Sequence, residues 1–253
     1  MAIHDTAATA LNSDNFLSDE DSSIWWPVRS IEQHSLSFHT GGYHDDFFSI
    51  LGIERPDTLD RAVPKRKAEF LAGRYCAREV LLRLGEKKTF VDICADRQPG
   101  WPGGIIGSIS HSNGRAAAIA SRDKSIVGVG IDIEDLVAPR LVEELHPQVL
   151  NSSERQWLNW GELDPAIVFT LIFSIKESFF KALYPLVRRF FGFDAISISA
   201  IEPNSRRAHF SINPQSIVGE FLPSADYTAH YHQPSENSLA TCVVIAGETQ
   251  GGR

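Results

Sequence analysis

Ser125-Ile-Val-Gly-Val-Gly-Ile-Asp-Ile-Glu134 alternates with period two, the pattern of a β-strand. Val127, Val129, Ile131 and Ile133 then share one face, and Gly128, Gly130, Asp132 and Glu134 the other. Two carboxylates two residues apart on one face lie roughly 6–7 Å apart along the chain. Charges that close repel unless a cation sits with them. The glycines ahead of them strip side chains from the same face, so a ligand is expected to approach the backbone there. Oxygen donors in this pattern suit a hard divalent ion that keeps positions open for phosphate. The plainer alternative is a strand end entering a polar loop.

Further on, Phe173-Ser-Ile-Lys-Glu-Ser-Phe-Phe-Lys181 reads as a helix. Glu177 and Lys181 are four apart and therefore neighbours on one face. By themselves they fit a solvated ion pair, which is worth little. With Asp132 and Glu134 they supply three anionic ligands and a cation for a phosphoryl group, the components of metal-assisted phosphoryl transfer.

At 253 residues the chain makes one large domain or two small ones and can bury a real core. A net charge of −8 excludes a general nucleic-acid or anionic-membrane binder, so any anion must be held by local basic groups. Cys76, Cys94 and Cys242 show no CxxC spacing and read as reduced thiols rather than a disulfide framework or zinc site. Residues 1–23 contain no Lys or Arg and no long apolar run; they are expected to be disordered and not a targeting signal. No run of apolar residues is long enough to span a membrane, and the expected location is the cytoplasm.

Pro64 opens a helix over 65–84 that Gly85 closes. Gly73 inside it weakens the helix by about 1 kcal/mol relative to alanine, which points to close packing there. Short strands at 105–110 and 115–121 flank a polar hairpin turn that holds His111. Residues 141–160 read as helical with a break near Pro147, and Pro185 stops or kinks the Phe169–Tyr184 helix. Strands at 195–201, 208–212 and 239–246 complete an antiparallel sheet. The expected fold is α+β, two similar halves each with a long helix on a small mainly antiparallel sheet, divided near residue 128.

Arg66 and Arg74 are eight apart, about 80° around the helix axis. They share a side with Phe70 and Ala77, and their guanidinium forks match phosphate oxygens. Snorkelling over a core edge is the alternative. His111 lies in a turn rich in hydroxyls, where a structural histidine is equally in keeping with the sequence.

Together these segments resemble the 4′-phosphopantetheinyl transferases. Gly130-Ile-Asp-Ile-Glu134 and Phe173–Lys181 are similar to the two family motifs. Lys65–Arg78, Trp101-Pro-Gly-Gly-Ile-Ile-Gly-Ser-Ile-Ser-His111 and Leu239-Ala-Thr-Cys-Val-Val-Ile245 resemble the branch containing enterobactin synthase component D. Ser178 departs from the alanine or other small residue of many relatives. The resemblance implies a monomer of two pseudo-symmetric halves with coenzyme A between them. It implies that Asp132, Glu134 and Glu177 bind Mg²⁺, with Mn²⁺ as the alternative ion, and that Asp132 lies close to the coenzyme. Lys181, Lys176, His111 and Ser110 would line the phosphates, and Arg66 and Arg74 would hold the 3′-phosphate. The Arg97 loop resembles a segment near the nucleotide. Glu177 and Lys181 become the catalytic pair, and the partner is an apo peptidyl, aryl or acyl carrier protein that brings the serine nucleophile. A metal-dependent phosphodiesterase and a non-catalytic coenzyme A-binding subunit are the competing readings.

Overall fold

The computed structural model describes residues 16–223 and 225–247. It divides into two compact units after Arg122. The expected boundary lay slightly later, inside a strand that belongs wholly to the second unit. Both units are α+β.

In the first unit, β1 (Leu17–Asp21), β2 (Glu32–Phe38), β5 (Ile106–Ser112) and β6 (Arg115–Ser121) form an antiparallel sheet in the order β1-β2-β6-β5. A short helix α1 (Phe47–Ile50) precedes the long α2 (Pro64–Arg83), and β3 (Asp92–Ile93) pairs with β4 (Pro99–Gly100) as a ribbon. Residues 1–15 of the stretch expected to be disordered lie outside the described residues. Leu17–Asp21 is instead an ordered edge strand paired with β2, because Phe16 and Leu17 bury their side chains in the core.

Pro64 takes the first position of α2, where its missing N–H costs nothing, and Gly85 follows the helix with φ of 72°. Leu71, Ala72, Cys76 and Val80 pack from α2 onto Leu36, Phe38, Ala116, Ala118 and Ala120 of the sheet. The alanines let the helix lie close. At Gly73 an added Cβ would sit 2.9 Å from the Ile109 side chain, which accounts for a glycine within the helix. The β5–β6 turn is Asn113-Gly114 with φ of 38° and 84°, the positive pair that a tight two-residue hairpin needs. The strand therefore runs further than expected, and His111 stands on β5 rather than in the turn.

In the second unit, β7 (Ile126–Asp135) is followed by α3 (Pro139–Val149) and α4 (Pro165–Val187), then β8 (Ile196–Glu202), β9 (Arg207–Ile212), β10 (Asp226–Ser235) and β11 (Ser238–Ala246). The sheet order is β7-β11-β10-β9-β8, all antiparallel. The sequence reading omits β10, although Tyr227, Ala229 and Tyr231 alternate with polar residues. Pro147 sits in the last turn of α3, so the break follows Val149. Likewise α4 runs past Pro185 to Val187 and ends at Arg188 in the left-handed region. The Asp164 side chain caps α4 by accepting the Ala166 N–H at 2.8 Å. Among the described residues no helix is long and apolar enough to cross a membrane.

Most of α4 is apolar and buried, with Phe169, Ile172, Ile175, Phe179 and Leu183 in the core, each contributing roughly 1.5–3 kcal/mol. Its other contact is with the Gly128–Gly130 face of β7. A Cβ on Gly130 would fall 1.8 Å from the Ser178 carbonyl oxygen, and one on Gly128 would fall 2.5 Å from that of Ala182. These glycines admit the backbone of a helix. They do not open the strand to a ligand, as the sequence reading expects. Gly130→Ala should therefore cost at least about 3 kcal/mol or prevent folding. Gly103→Ala, with nothing within 4 Å of the added carbon, should leave the urea midpoint unchanged. Equal midpoints for the two variants would show that the close approach carries no weight.

Candidate functional site

The contact at Gly130 decides which α4 residues meet β7. Ser174, Glu177, Ser178 and Lys181 follow the i, i+3, i+4, i+7 spacing and form one polar stripe on an apolar helix. On β7 the residue after the glycines on the same face is Asp132, which is almost fully buried. Its Oδ1 accepts from Lys181 Nζ at 2.7 Å and its Oδ2 from Ser174 Oγ at 2.8 Å.

The structure also brings Glu134 and Glu177 into this field. Burial, followed by the Asp132 charge and, more weakly, Glu177, pushes Glu134 up to about 7; Lys181 opposes the shift. Burial and Asp132 push Glu177 up as well. Three carboxylates thus stand near one lysine, two of them held in their charged form only at a cost. Among the described residues, no three His, Cys, Asp or Glu side chains stand as a ready-made metal site. Both oxygens of Asp132 are already engaged by donors. The donor set still fits Mg²⁺, which keeps several waters and takes one or two carboxylates together with substrate phosphates rather than an all-protein cage.

Lys176, expected beside the phosphates, is turned away from this cluster. Its ammonium is buried, donating to Glu154 Oε2 at 2.6 Å and the Val149 carbonyl at 2.8 Å. Glu154 in turn accepts the Asn151 and Ile198 N–H groups. Each member is satisfied, as a buried pair must be. Burial lowers the Lys176 pKa and Glu154 opposes this. Lys176, the neighbour of Glu177 in sequence, thus staples α4 to the segment after α3 and to β8.

The first unit carries the basic residues. A pocket of about 400 Å³ is lined by Arg66, Phe70, Arg74, Arg97 and His111, with Glu69 among its walls. The Arg74 guanidinium lies over the Phe70 ring at 4.9 Å and donates to the Asp92 carbonyl at 3.2 Å. Burial pushes its pKa down to about 10, with Asp92 opposing and Arg66 adding to the fall. Its Nε is buried without a partner among the described residues. A desolvated guanidinium beside two further arginines is built to receive an anion. Arg66 lies 3.2 Å from His111 Nε2. Glu69, which the sequence reading does not single out, stands 3.9 Å from both of them, and its i+3 position after Arg66 is the available signal. Ser110 is buried on the opposite face of β5 from His111 and is not brought to this pocket.

Comparison with known proteins follows the same division. The 4′-phosphopantetheinyl transferase N-terminal domain matches residues 54–121, and the 4′-phosphopantetheinyl transferase superfamily matches residues 128–242. Enterobactin synthase component D of Salmonella typhimurium is 36% identical over 217 residues, covering 86% of this chain and 87% of its own. The chain belongs to the 4′-phosphopantetheinyl transferase superfamily. It falls in the enterobactin synthase component D branch and is an enzyme of the phosphopantetheinyl transferase type. The Escherichia coli K12 component D is 40% identical over 149 residues, 59% of this chain and 69% of its own. The 4′-phosphopantetheinyl transferase Svp of Streptomyces mobaraensis is 36% identical over 163 residues, 64% of this chain and 65% of its own.

For this transferase the raised pKa of Glu134 has a measurable consequence. A carboxylate whose pKa rises on folding holds its proton in the folded protein where the unfolded chain has lost it. Its contribution to stability therefore falls as pH rises from the ordinary glutamate range to about 7. In metal-free protein, Glu134→Gln should raise the melting temperature more at pH 8 than at pH 5. An equal shift at both pH values would show that Glu134 carries no such strain.

Proposed function

We propose that this transferase moves the 4′-phosphopantetheine group of coenzyme A onto a serine of an apo carrier protein in a Mg²⁺-dependent reaction. The observation that carries this reading is the carboxylate cluster of Asp132, Glu134 and Glu177 around Lys181, whose like charges call for a cation. The arginine pocket supports coenzyme A as the donor, because Arg66, Arg74 and Arg97 gather in it guanidinium groups that match a 3′-phosphate. Several of the relatives are enterobactin synthase component D, which favours peptidyl or aryl carrier domains of siderophore and nonribosomal peptide synthesis as acceptors.

In the reaction the serine oxygen forms a bond to the phosphorus that bears pantetheine, and the bond from that phosphorus to the bridging oxygen breaks. The products are holo-carrier and adenosine 3′,5′-bisphosphate. A serine hydroxyl is a poor nucleophile at neutral pH and needs a base. Glu177, whose pKa is raised by burial and by the Asp132 charge, takes the serine proton directly or through a water. Lys181 donates to the departing phosphate, and Arg66, Arg74 and His111 orient the nucleotide end. When bound, Mg²⁺ supplies neutralisation of pyrophosphate charge, with Asp132, Glu134 and Glu177 as its holders. The nucleophile arrives on the partner, so the chain needs no catalytic serine of its own.

Incubation with coenzyme A, Mg²⁺ and an apo-peptidyl carrier should add one phosphopantetheine to the intact carrier mass. Adenosine bisphosphate released without that gain would establish hydrolysis instead, and coenzyme A bound but unchanged would establish a binding subunit. Glu177→Gln should slow transfer by at least about 100-fold; turnover close to wild type would remove it as the base.

The arginine pocket makes a separate prediction. Coenzyme A should bind at least about tenfold more tightly than its 3′-dephospho form, given the strength of charge-assisted hydrogen bonds. Isothermal titration of the unmutated protein with both ligands decides this, and equal affinities would refute the assignment of Arg66 and Arg74.

A further inference from the structure

Beneath Asp132 lies a chain of three hydroxyls with no water access. Ser174, Ser178 and Thr241 are each fully buried. Thr241 stands directly across from Asp132 in the β7–β11 register, so it faces α4 as Asp132 does. Ser174 Oγ lies 2.8 Å from Asp132 Oδ2 and 2.9 Å from Thr241 Oγ1, and Ser178 Oγ lies 2.7 Å from Thr241 Oγ1.

Proton accounting gives the chain one direction. Ser174 donates its single proton to Asp132 Oδ2. Thr241 then donates to Ser174, and Ser178 shares its one proton between Thr241 Oγ1 at 2.7 Å and the Thr241 carbonyl oxygen at 3.0 Å. The end of the chain is thus fixed to the backbone of β11. The two supports of Asp132 differ in kind. Lys181 is a long side chain with 28% of its surface exposed, and an anionic phosphate competes for its donors. The hydroxyl chain is sealed, and no water replaces a lost member.

We propose that Ser174, Thr241 and Ser178 are positioning residues that hold Asp132 in place as a metal ligand while Lys181 engages substrate. The proposal rests on the reading of Asp132 as a ligand given above. It assigns Ser178 a purpose that an alanine of the same fit would not serve. Supporting groups of this kind typically change metal affinity by 10–100-fold when removed.

The test is Mn²⁺ titration followed by electron paramagnetic resonance, on the full-length protein with coenzyme A present. The near-UV circular dichroism of each variant is recorded as well. Ser174→Ala and Thr241→Val should weaken Mn²⁺ about tenfold and leave that spectrum unchanged. Thr241→Ser, which restores the hydroxyl, should bind Mn²⁺ as wild type does. Unchanged Mn²⁺ affinity in Thr241→Val and Ser174→Ala, with binding lost in Asp132→Asn, would overturn the hydroxyl chain and leave the ligand reading standing. Unchanged Mn²⁺ affinity in Asp132→Asn would overturn both. Loss of Mn²⁺ binding together with loss of the native near-UV spectrum in the hydroxyl variants would show that the chain serves only the fold, which also overturns the proposal.

Discussion

The approach of a helix backbone to a strand backbone at Gly128 and Gly130 is the constraint on which the second unit depends. It sets the rotation and height of α4 over β7, because the Ser178 and Ala182 carbonyls leave no room for any other side chain there. Once that contact is fixed, the helical repeat decides the rest. The stripe that carries Ser174, Glu177 and Lys181 must lie over the strand position held by Asp132. A buried acid at that point needs donors, and the stripe contains them. Packing and chemistry are settled by the same two glycines.

Each unit holds a local excess of one charge. In the first, Arg66, Arg74 and Arg97 line one pocket of a protein that is acidic overall. In the second, Glu134 and Glu177 are both less acidic than an exposed glutamate because burial disfavours their charged forms and the Asp132 charge adds to the effect. Groups kept this way lower stability and in return are oriented before a ligand arrives, so little reorganisation remains at the moment of reaction.

Much of this was legible in the sequence for identifiable reasons. Period-two alternation located β7, and the four-residue step from Glu177 to Lys181 located a shared face on α4. Pro64 and Gly85 bounded α2. What stayed hidden was long-range. Nothing local says that Thr241 lies across from Asp132, since register is set by pairing over the length of β7 and β11. Lys176 and Glu177 are neighbours in sequence, yet a step of about 100° around the helix sends one into a buried ion pair and the other to the cluster. The glycines were read as an opening because a missing side chain looks the same whether a ligand or a helix fills the space. Asp226–Ser235 went unread because its alternation is carried by alanine and tyrosine among histidines.

The order of these parts along the chain has a consequence for synthesis. Every residue lining the arginine pocket falls between Thr58 and His111, so all of them are synthesised ahead of Asp132. Asp132 emerges later, and its hydroxyl support arrives only with Thr241 in β11, the last strand described. Under the proposed assignment, a nascent chain acquires the residues that would grip the nucleotide before it acquires those that would act on it.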